Sequence, residues 1–489
     1  MTIPTESLVD PQPLATGPET TSPSPSEDSR WAELLTPHYL ATTVMLCIGV
    51  ALFAFNSFLV TTVLPTAVME IGGGELLSWS ITLYLLGSIL GGMSAALLKA
   101  RFGARDALLA AGLLFLIGTM IAAFAESMDQ VLAGRVAQGL GEGVVAALCY
   151  ALIPELYPSR LVPKVFGAEA AVWAIASFGG PLGAGFITET VSWRAAFLVN
   201  APIILLFLLL TLRIAPTQRA VTNSKGLPLL RLLLLSLGML SLLMAGLFER
   251  PALTFAAVLL AILLMAGSIR LDRFSMTRLL PTGAFGFSST VGLGLWVVLL
   301  MPVAQATSSV YLVFSLQHLL GYGPTLAGGL GAVMAMSWSV AAVTIANLKH
   351  RNQRRLAIQF GPLLQLLGIL TLASGIFMRE IGLIVLGQIT IGAAFGVSWG
   401  YLSQMLMDVT PDAERDKTSA LLPTLQSAGF AIGAAIAGLI ANTAGFDAKA
   451  DADHLHDILT LTFIVPLVWA IPASLCAYLA VKRAPEPWR

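Results

Sequence analysis

The chain has 489 residues, 56% of them hydrophobic and 11% charged, with 27 basic residues against 27 acidic ones and a mean hydropathy of +0.83. Soluble domains carry about a quarter charged residues, and no water-soluble fold has interior enough to hide this much apolar surface, so a bilayer must solvate much of it. The zero net charge says little by itself; the distribution of charge along the chain carries the information.

Residues 1–30 are rich in Pro, Ser and Thr and carry Glu6, Asp10, Glu19, Glu27 and Asp28. They lack a basic start followed by an apolar stretch, so they do not read as a signal peptide. Residues 1–37 are expected to form a disordered cytoplasmic tail. Fourteen apolar stretches follow, each long enough for the roughly 20 residues a spanning helix needs: 39–64, 76–98, 105–126, 130–153, 165–188, 194–213, 227–248, 252–270, 286–314, 324–347, 356–378, 381–406, 418–441 and 458–481. Helices are required because open strands would leave backbone groups unpaired in lipid. Residues 484–489 close the chain as a cytoplasmic C-terminal tail.

Charge in the connections tests this map. With the N-terminus in the cytoplasm, 22 of the 27 Lys and Arg residues fall on the cytoplasmic side. Arg194, Arg250, Arg379 and Lys449 fall outside, and Arg135 lies within a span. This alternation is the positive-inside pattern; a miscount by one helix would scramble it. Both termini are therefore expected in the cytoplasm and the chain in the inner (plasma) membrane.

The fourth span contains GRVAQGLGEGV and the twelfth GQITIGAAFGV, so that Gly134, Gly139 and Gly143 match Gly387, Gly392 and Gly396 at an offset of 253. In the fifth and thirteenth spans, Gly179 and Gly183 match Gly429 and Gly433 at an offset of 250. The recurrence predicts two six-helix halves, 38–213 and 274–483, with a linker and two inserted helices over 214–273. Such repeats are a transporter feature, with the substrate site near mid-membrane between them.

An ionisable group inside a span is costly and a functional candidate by default. Arg135, Glu142 and Glu169 stand clearly within spans. Arg135 and Glu142 share a helix face about 10 Å apart along the axis, too far for a direct ion pair without a bridging group. Burial favours the neutral form of a carboxyl, which suits Glu142 to loading and releasing a proton. The structural alternative is a Glu bonded to a neighbouring helix. Glu169, about one turn inside the cytoplasmic end of its helix, is open to a coupling role or to snorkelling toward the interface. Mid-span aromatics and amides are candidates to line a substrate cavity: Trp173, Trp338, Trp399 and Tyr401, with Asn56, Gln138 and Gln305 as polar contacts. Core packing and interfacial belts use the same residue types.

Cys47, Cys149 and Cys476 lie far apart in apolar segments, with neither metal spacing nor a disulfide framework. His454 and His456 among four acids in DAKADADHLHD are read as a solvated outer loop, and no metal site or cofactor is expected. The absence of a G-x-x-x-x-G-K-[ST] loop argues against an ATP-driven pump. The missing charged ring or filter motif argues against a channel.

Four local patterns, in order, resemble the major facilitator superfamily and specifically its fourteen-helix drug:proton antiporter branch. They are FNSFLVTTVLP (55–65) followed by SWSITLYLL with Trp79 and Tyr84, GRVAQG in the fourth span, GGPLGAG (179–185) in the fifth, and WRAAFLVNAP (193–202). The resemblance spans about residues 39–482. It implies an all-α polytopic membrane protein with the major facilitator fold, fourteen transmembrane helices in two six-helix halves plus two inserted ones. It implies a coupling role for Arg135 and a bendable gate at Gly179, Gly180, Pro181, Gly183 and Gly185. It also implies a cytoplasmic gating loop in ALLKARFGAR, where Arg101, Gly103 and Arg105 fit the family's pattern. The chain departs at two usually acidic positions, which are Ala100 and Asn56 here. The function expected is secondary active export of amphipathic small molecules by proton antiport with alternating access. The expected partners are a small-molecule substrate, protons and the lipid bilayer, with no nucleic acid and a monomeric chain. A lipid or lipid-linked metabolite transporter, an uncoupled facilitator on the same fold, and a non-transporting receptor stay open as alternatives; an enzyme is not expected.

Overall fold

The computed structural model describes residues 31–158, 161–216, 229–275, 278, 280–345, 348, 350–486 and 488. Among the described residues there is no strand. The helices are α1 (Pro37–Ile71), α2 (Leu77–Phe102), α3 (Ala104–Ala123), α4 (Met128–Leu156), α5 (Val162–Thr190) and α6 (Trp193–Leu198 continued by Asn200–Ile214). Next come α7 (Leu229–Ala245) and α8 (Pro251–Phe274). The rest are α9 (Thr290–Thr307 and Val313–His318, joined by a π-helical turn at Ser308–Leu312), α10 (Pro324–Ile345), α11 (Arg351–Met378), α12 (Ile381–Val409), α13 (Asp412–Thr443) and α14 (Ala452–Ile464 continued by Leu467–Arg483). Thirteen are long and apolar enough to cross a membrane; α7 is apolar and 17 residues long, at the short end of the spanning range. Each expected span is thus met by one helix, and the chain is a multi-pass membrane protein.

Two expectations at the ends of elements need correction. Residues 31–37 are not a featureless tail: Trp31–Leu35 forms a 3₁₀ turn that buries Leu34, and α1 begins at Pro37. Proline suits a first helical turn, where its missing N–H has no intrahelical partner anyway. The remaining tail residues, 1–30, lie outside the described residues. The segment around His454 and His456 is not all loop, because Asp451 caps α14 by accepting hydrogen bonds from the amides of Asp453 and His454, and His456 Nε2 is 2.8 Å from Phe377 O. In the expected C-terminal tail, Trp488 Nε1 donates to Asp408 Oδ2 at 3.0 Å and Arg351 pairs with Glu486.

The glycine repeat has a physical reason. A Cβ at Gly139 or Gly143 of α4 would enter the backbone of α2 at Tyr84 and Ser88, and a Cβ at Gly392 or Gly396 of α12 would enter that of α10 at Met334 and Trp338. A Cβ at Gly134 would lie 2.7 Å from Gly118 O of α3, and one at Gly387 would lie 2.8 Å from Leu372 Cα of α11. The same three-helix packing, α2–α4–α3 and α10–α12–α11, is therefore built twice, because only small residues let helix backbones approach this closely.

α7 and α8 form a hairpin against the groove between α2 and α13. Met239 packs with Leu86, Ile89, Ala428 and Ala431, while Leu242, Leu243 and Ala261 pack with Ala435. α8 is the outermost helix, with 6% of its apolar window buried, against 89% for α9.

The two halves meet at the end of the bundle where α1 finishes and α2 starts. There a Cβ on Gly185 of α5 would lie 2.5 Å from Pro324 O of α10, and one on Gly328 would lie 2.7 Å from Pro181 O. Thr325 donates from its amide and its hydroxyl to Glu189 Oε2 at 3.3 and 2.5 Å. On the opposite seam, Thr82 Oγ1 donates to Ala431 O at 3.2 Å and Asn442 Nδ2 to Glu75 O at 2.8 Å. These contacts close that end of the pathway.

Candidate functional site

Between the halves lies a cavity of about 490 Å³. α1, α2, α4 and α5 wall one side; α9, α10, α12 and α13 wall the other. The π-helical turn in α9 contributes Ser308, Ser309 and Leu312. An extra residue in a helical turn shifts the register of the next turns, a distortion frequent at functional sites.

Of the seven residues expected to line a substrate cavity, Trp173, Gln305 and Trp338 do so. Trp173 packs edge-on to Phe53 and Phe58, with ring centroids at 5.4 and 6.4 Å. Trp338 stacks on Phe395 at 4.8 Å. Gln305 accepts a hydrogen bond from Ser309 Oγ at 3.2 Å. The other four are placed elsewhere. Trp399 stands behind Trp338 and Phe395 rather than in the wall. Tyr401 lies at the far end of α12, where its hydroxyl donates to Ile345 O at 2.6 Å and accepts from the amide of Leu348. Asn56 and Gln138 are fully buried and bonded to the charged residues of the N-terminal half. Amides next to buried ions are consumed in satisfying them.

Glu142 and Arg135 are each 1% exposed. Tyr84 of α2 fills the gap of two helical turns between them: its hydroxyl donates to Glu142 Oε1, and the Arg135 guanidinium lies over its ring, 3.8 Å from the centroid. Asn56 Nδ2 donates to the other carboxylate oxygen at 3.2 Å, and Asn200 of α6 stands behind it. Arg135 also donates to Gln138 Oε1 at 2.8 Å and to Ser80 O at 3.4 Å, and Gln138 donates to Thr119 of α3 at 3.0 Å. A desolvated cation over an aromatic face is worth about 2 kcal/mol, so the tyrosine couples the two ions that the helix spacing holds apart. Tyr84 and Arg135 belong to the cavity wall, whereas Glu142 sits behind them.

Glu169 does not snorkel. It is 1% exposed, neither carboxylate oxygen has a hydrogen-bond partner among the described residues, and Cys47, Cys149 and Tyr150 lie within its electrostatic reach. The surrounding helices enclose it instead of releasing it to the interface.

In the expected gates, Gly180, Pro181 and Gly185 face neighbouring helices; a Cβ added at Gly180 would lie 3.2 Å from Phe58 Cβ. A Cβ added at Gly179 or Gly183 would meet nothing within 4 Å, so these two positions border open space in this state. Gly103 takes φ 89°, ψ 160° to turn α2 directly into α3, a conformation that favours glycine. The amide of Arg105 donates to Pro216 O at 3.3 Å, Arg101 is exposed, and Lys99 pairs with Glu155 of α4. The loop is thus braced within its own half, and among the described residues neither arginine side chain bonds to the other half.

Sequence reasoning missed Tyr84 as a site residue, although its motif was noted, and missed Gln388, Gln426 and Ser57 in the wall. Gln388 had a signal: it is the repeat partner of Arg135, and the two face one cavity from opposite halves. It lies 3.5 Å from Ser308 Oγ.

The comparisons with known proteins agree with this architecture. The family model described as the Major Facilitator Superfamily matches residues 46–348. A relative named as a probable multidrug-efflux transporter, from Mycobacterium tuberculosis, is 31% identical over 450 residues, covering 89% of this chain and 94% of the relative. The multidrug efflux pump SdrM of Staphylococcus aureus is 25% identical over 438 residues, 88% of this chain and 95% of that one. Among solved structures, a D-xylose–proton symporter matches with a TM-score of 0.64 at 19% identity, over 92% of this chain and 99% of the other. A bacterial homologue of the lysosomal transporter Spinster, inward-facing and unoccupied, matches at 0.63 with 15% identity, over 92% and 99%. The chain is a transporter that belongs to the major facilitator superfamily.

Proposed function

We propose that this protein exports amphipathic small molecules in exchange for protons, with Glu142 as the proton carrier and Arg135 as its charge partner. The observation that supports the reading is a buried guanidinium in the wall, and a buried carboxylate directly behind it, of a cavity between two halves that are sealed at one end. Charge buried in a bundle without a structural need for it marks a coupling site. The cavity wall joins Trp173, Trp338, Phe53 and Phe430 with Gln305, Gln388 and Gln426, which suits a molecule with an apolar body and a few hydrogen-bonding groups. The efflux names of two relatives support export as the direction.

With the Lys- and Arg-rich loops in the cytoplasm, the closed end is the outer one and the cavity faces inward. Both termini then lie in the cytoplasm and the membrane is the inner (plasma) membrane. The α5 gate, meeting α10 at Pro181 and Gly185 and kept bendable by Gly179, Gly180 and Gly183, and the Arg101–Gly103–Arg105 loop close opposite ends in turn, and Glu169 is a second titrating group on the cytoplasmic side of α5. A monomer suffices, because each half supplies one wall.

The test is flux in proteoliposomes under an imposed pH gradient, with ethidium, Hoechst 33342 and a fluorescent phosphatidylcholine as probes. Gradient-driven flux of either dye that disappears in Glu142→Gln supports the reading. Flux of the lipid alone points to a lipid transporter, and dye flux indifferent to the gradient to an uncoupled facilitator.

A further inference from the structure

We propose that the hydroxyls of Ser57 and Tyr84 form the relay by which protons pass between the cavity and Glu142. The inference rests on the reading of Glu142 as proton carrier, and supplies a route for its protons. Glu142 has no place in the cavity wall, and both its oxygens are occupied. Oε2 faces the Asn56 amide, which has protons to donate but takes none up. Oε1 faces the Tyr84 hydroxyl, which can do both. Tyr84 has one proton, given to Glu142, so at 3.4 Å the Ser57 hydroxyl is the donor to Tyr84. Ser57 lines the cavity.

The order from water inward is therefore Ser57 Oγ, Tyr84 Oη, Glu142 Oε1. In one loading event Ser57 takes a proton from a hydronium ion in the cavity, which becomes water, and passes its own to Tyr84, and Tyr84 passes its own to Glu142. Three O–H bonds form and three break, counting the bond broken in the hydronium ion. The carboxylate becomes a carboxylic acid, and both hydroxyls end neutral with their hydrogen bonds reversed. The groups facing Glu142 are Tyr84 from α2, Asn56 from α1 and, through the Tyr84 ring, Arg135 of α4; Asn200 of α6 contacts Asn56 only. Arg135 has no proton to spare at working pH, and it lies over the ring face rather than in the line of hydroxyls. Release reverses the sequence.

Tyr84→Phe isolates this role, because it keeps the ring beneath Arg135 and removes only the hydroxyl. The experiment is a rapid pH jump on the full chain in lipid nanodiscs. Infrared spectroscopy follows the carboxylic-acid stretch that vanishes in Glu142→Gln. For a pH jump wide enough to take Glu142 from fully ionised to fully protonated in both proteins, Tyr84→Phe is expected to slow the response at least about tenfold while leaving its final amplitude unchanged, a factor of ten being about 1.4 kcal/mol of barrier. Ser57→Ala slows it less, because water can take that place. In the wild type, the rate plotted against deuterium fraction is expected to bow downward, as several protons move together, and this arm needs no variant to fold. A wild-type rate in Tyr84→Phe, a changed amplitude at an unchanged rate, or a straight deuterium plot overturns the relay. If no stretch disappears in Glu142→Gln, the proton-carrier reading itself falls.

Discussion

Asn56 donates a hydrogen bond to Glu142 across the α1–α4 contact at 3.2 Å, inside a bundle where both side chains are buried. The amide stands at a position that is often acidic in the antiporter branch this chain resembles. A second carboxylate there would face Glu142 directly; the amide instead supports a single ionisable centre. Asn56→Leu is expected to strand Oε2 and lower stability by about 1–3 kcal/mol, read as a fall in melting temperature in detergent. Asn56→Asp, which can share one proton with Glu142 because two adjacent carboxylates do not both ionise, is expected to fold with near wild-type stability. Equal losses in both variants would mean that Asn56 acts by shape alone.

Arg135 and Glu142 both contact Tyr84, one through its ring and the other through its hydroxyl. Removing either charge leaves the other buried without its counterpart, at a cost of about 3–5 kcal/mol. Arg135→Ala and Glu142→Gln are each expected to abolish gradient-driven flux. The double variant is expected to be more stable than the sum of the single losses implies. A double-mutant cycle on melting in urea or heat checks this, and strict additivity would show that the two residues do not interact.

Gly185 and Gly183 separate packing from open space on one helix. Gly185→Val places atoms against Pro324 and Thr325 of α10, so it is expected to hold the closed end open. A Cβ added at Gly183 meets nothing within 4 Å in this state, so Gly183→Val is expected to be accommodated there. Labelling of a single cysteine introduced at Thr325 reports the difference: reactivity rises severalfold in Gly185→Val and stays near wild type in Gly183→Val, as expected when a close helix contact is lost in one case only.

Asp272 ties the inserted hairpin to the segment after it. It pairs with Arg231 of α7 and accepts the amide of Leu280 at 2.9 Å. Asp272→Ala is expected to cost about 3–5 kcal/mol of stability, as for a broken buried pair, while dye flux per folded molecule stays within about twofold. Stability is read by thermal unfolding and flux in proteoliposomes. A large flux loss at unchanged stability would give the hairpin a direct part in transport.

The helices were legible because spanning segments must be apolar throughout, and Arg135 and Glu142 stood out because charge in such segments has no cheap explanation. The glycine repeat was legible for a similar reason, since the backbone crossings at Gly139 and Gly392 tolerate no side chain. Tyr84 was not, because a tyrosine in a span serves equally as core, belt or site, and only the fold places its hydroxyl at Glu142. Asn56 and Gln138 were assigned to the cavity because sequence shows that an amide is present but not which way it faces. Gln388 was within reach, since the repeat already paired it with Arg135. The enclosure of Glu169 depends on how α5 packs beside Cys47 of α1 and Cys149 and Tyr150 of α4, which no local pattern encodes.

Exchange of proton for substrate requires that the two favour opposite forms of Glu142, so substrate binds the ionised form more tightly and affinity rises with pH. The direct measurement is equilibrium binding of a transported dye across pH in the wild type and in Glu142→Gln. The expected result is tighter binding at higher pH in the wild type and a flat profile in the variant. The same slope in both proteins would contradict Glu142 as the site where proton and substrate compete.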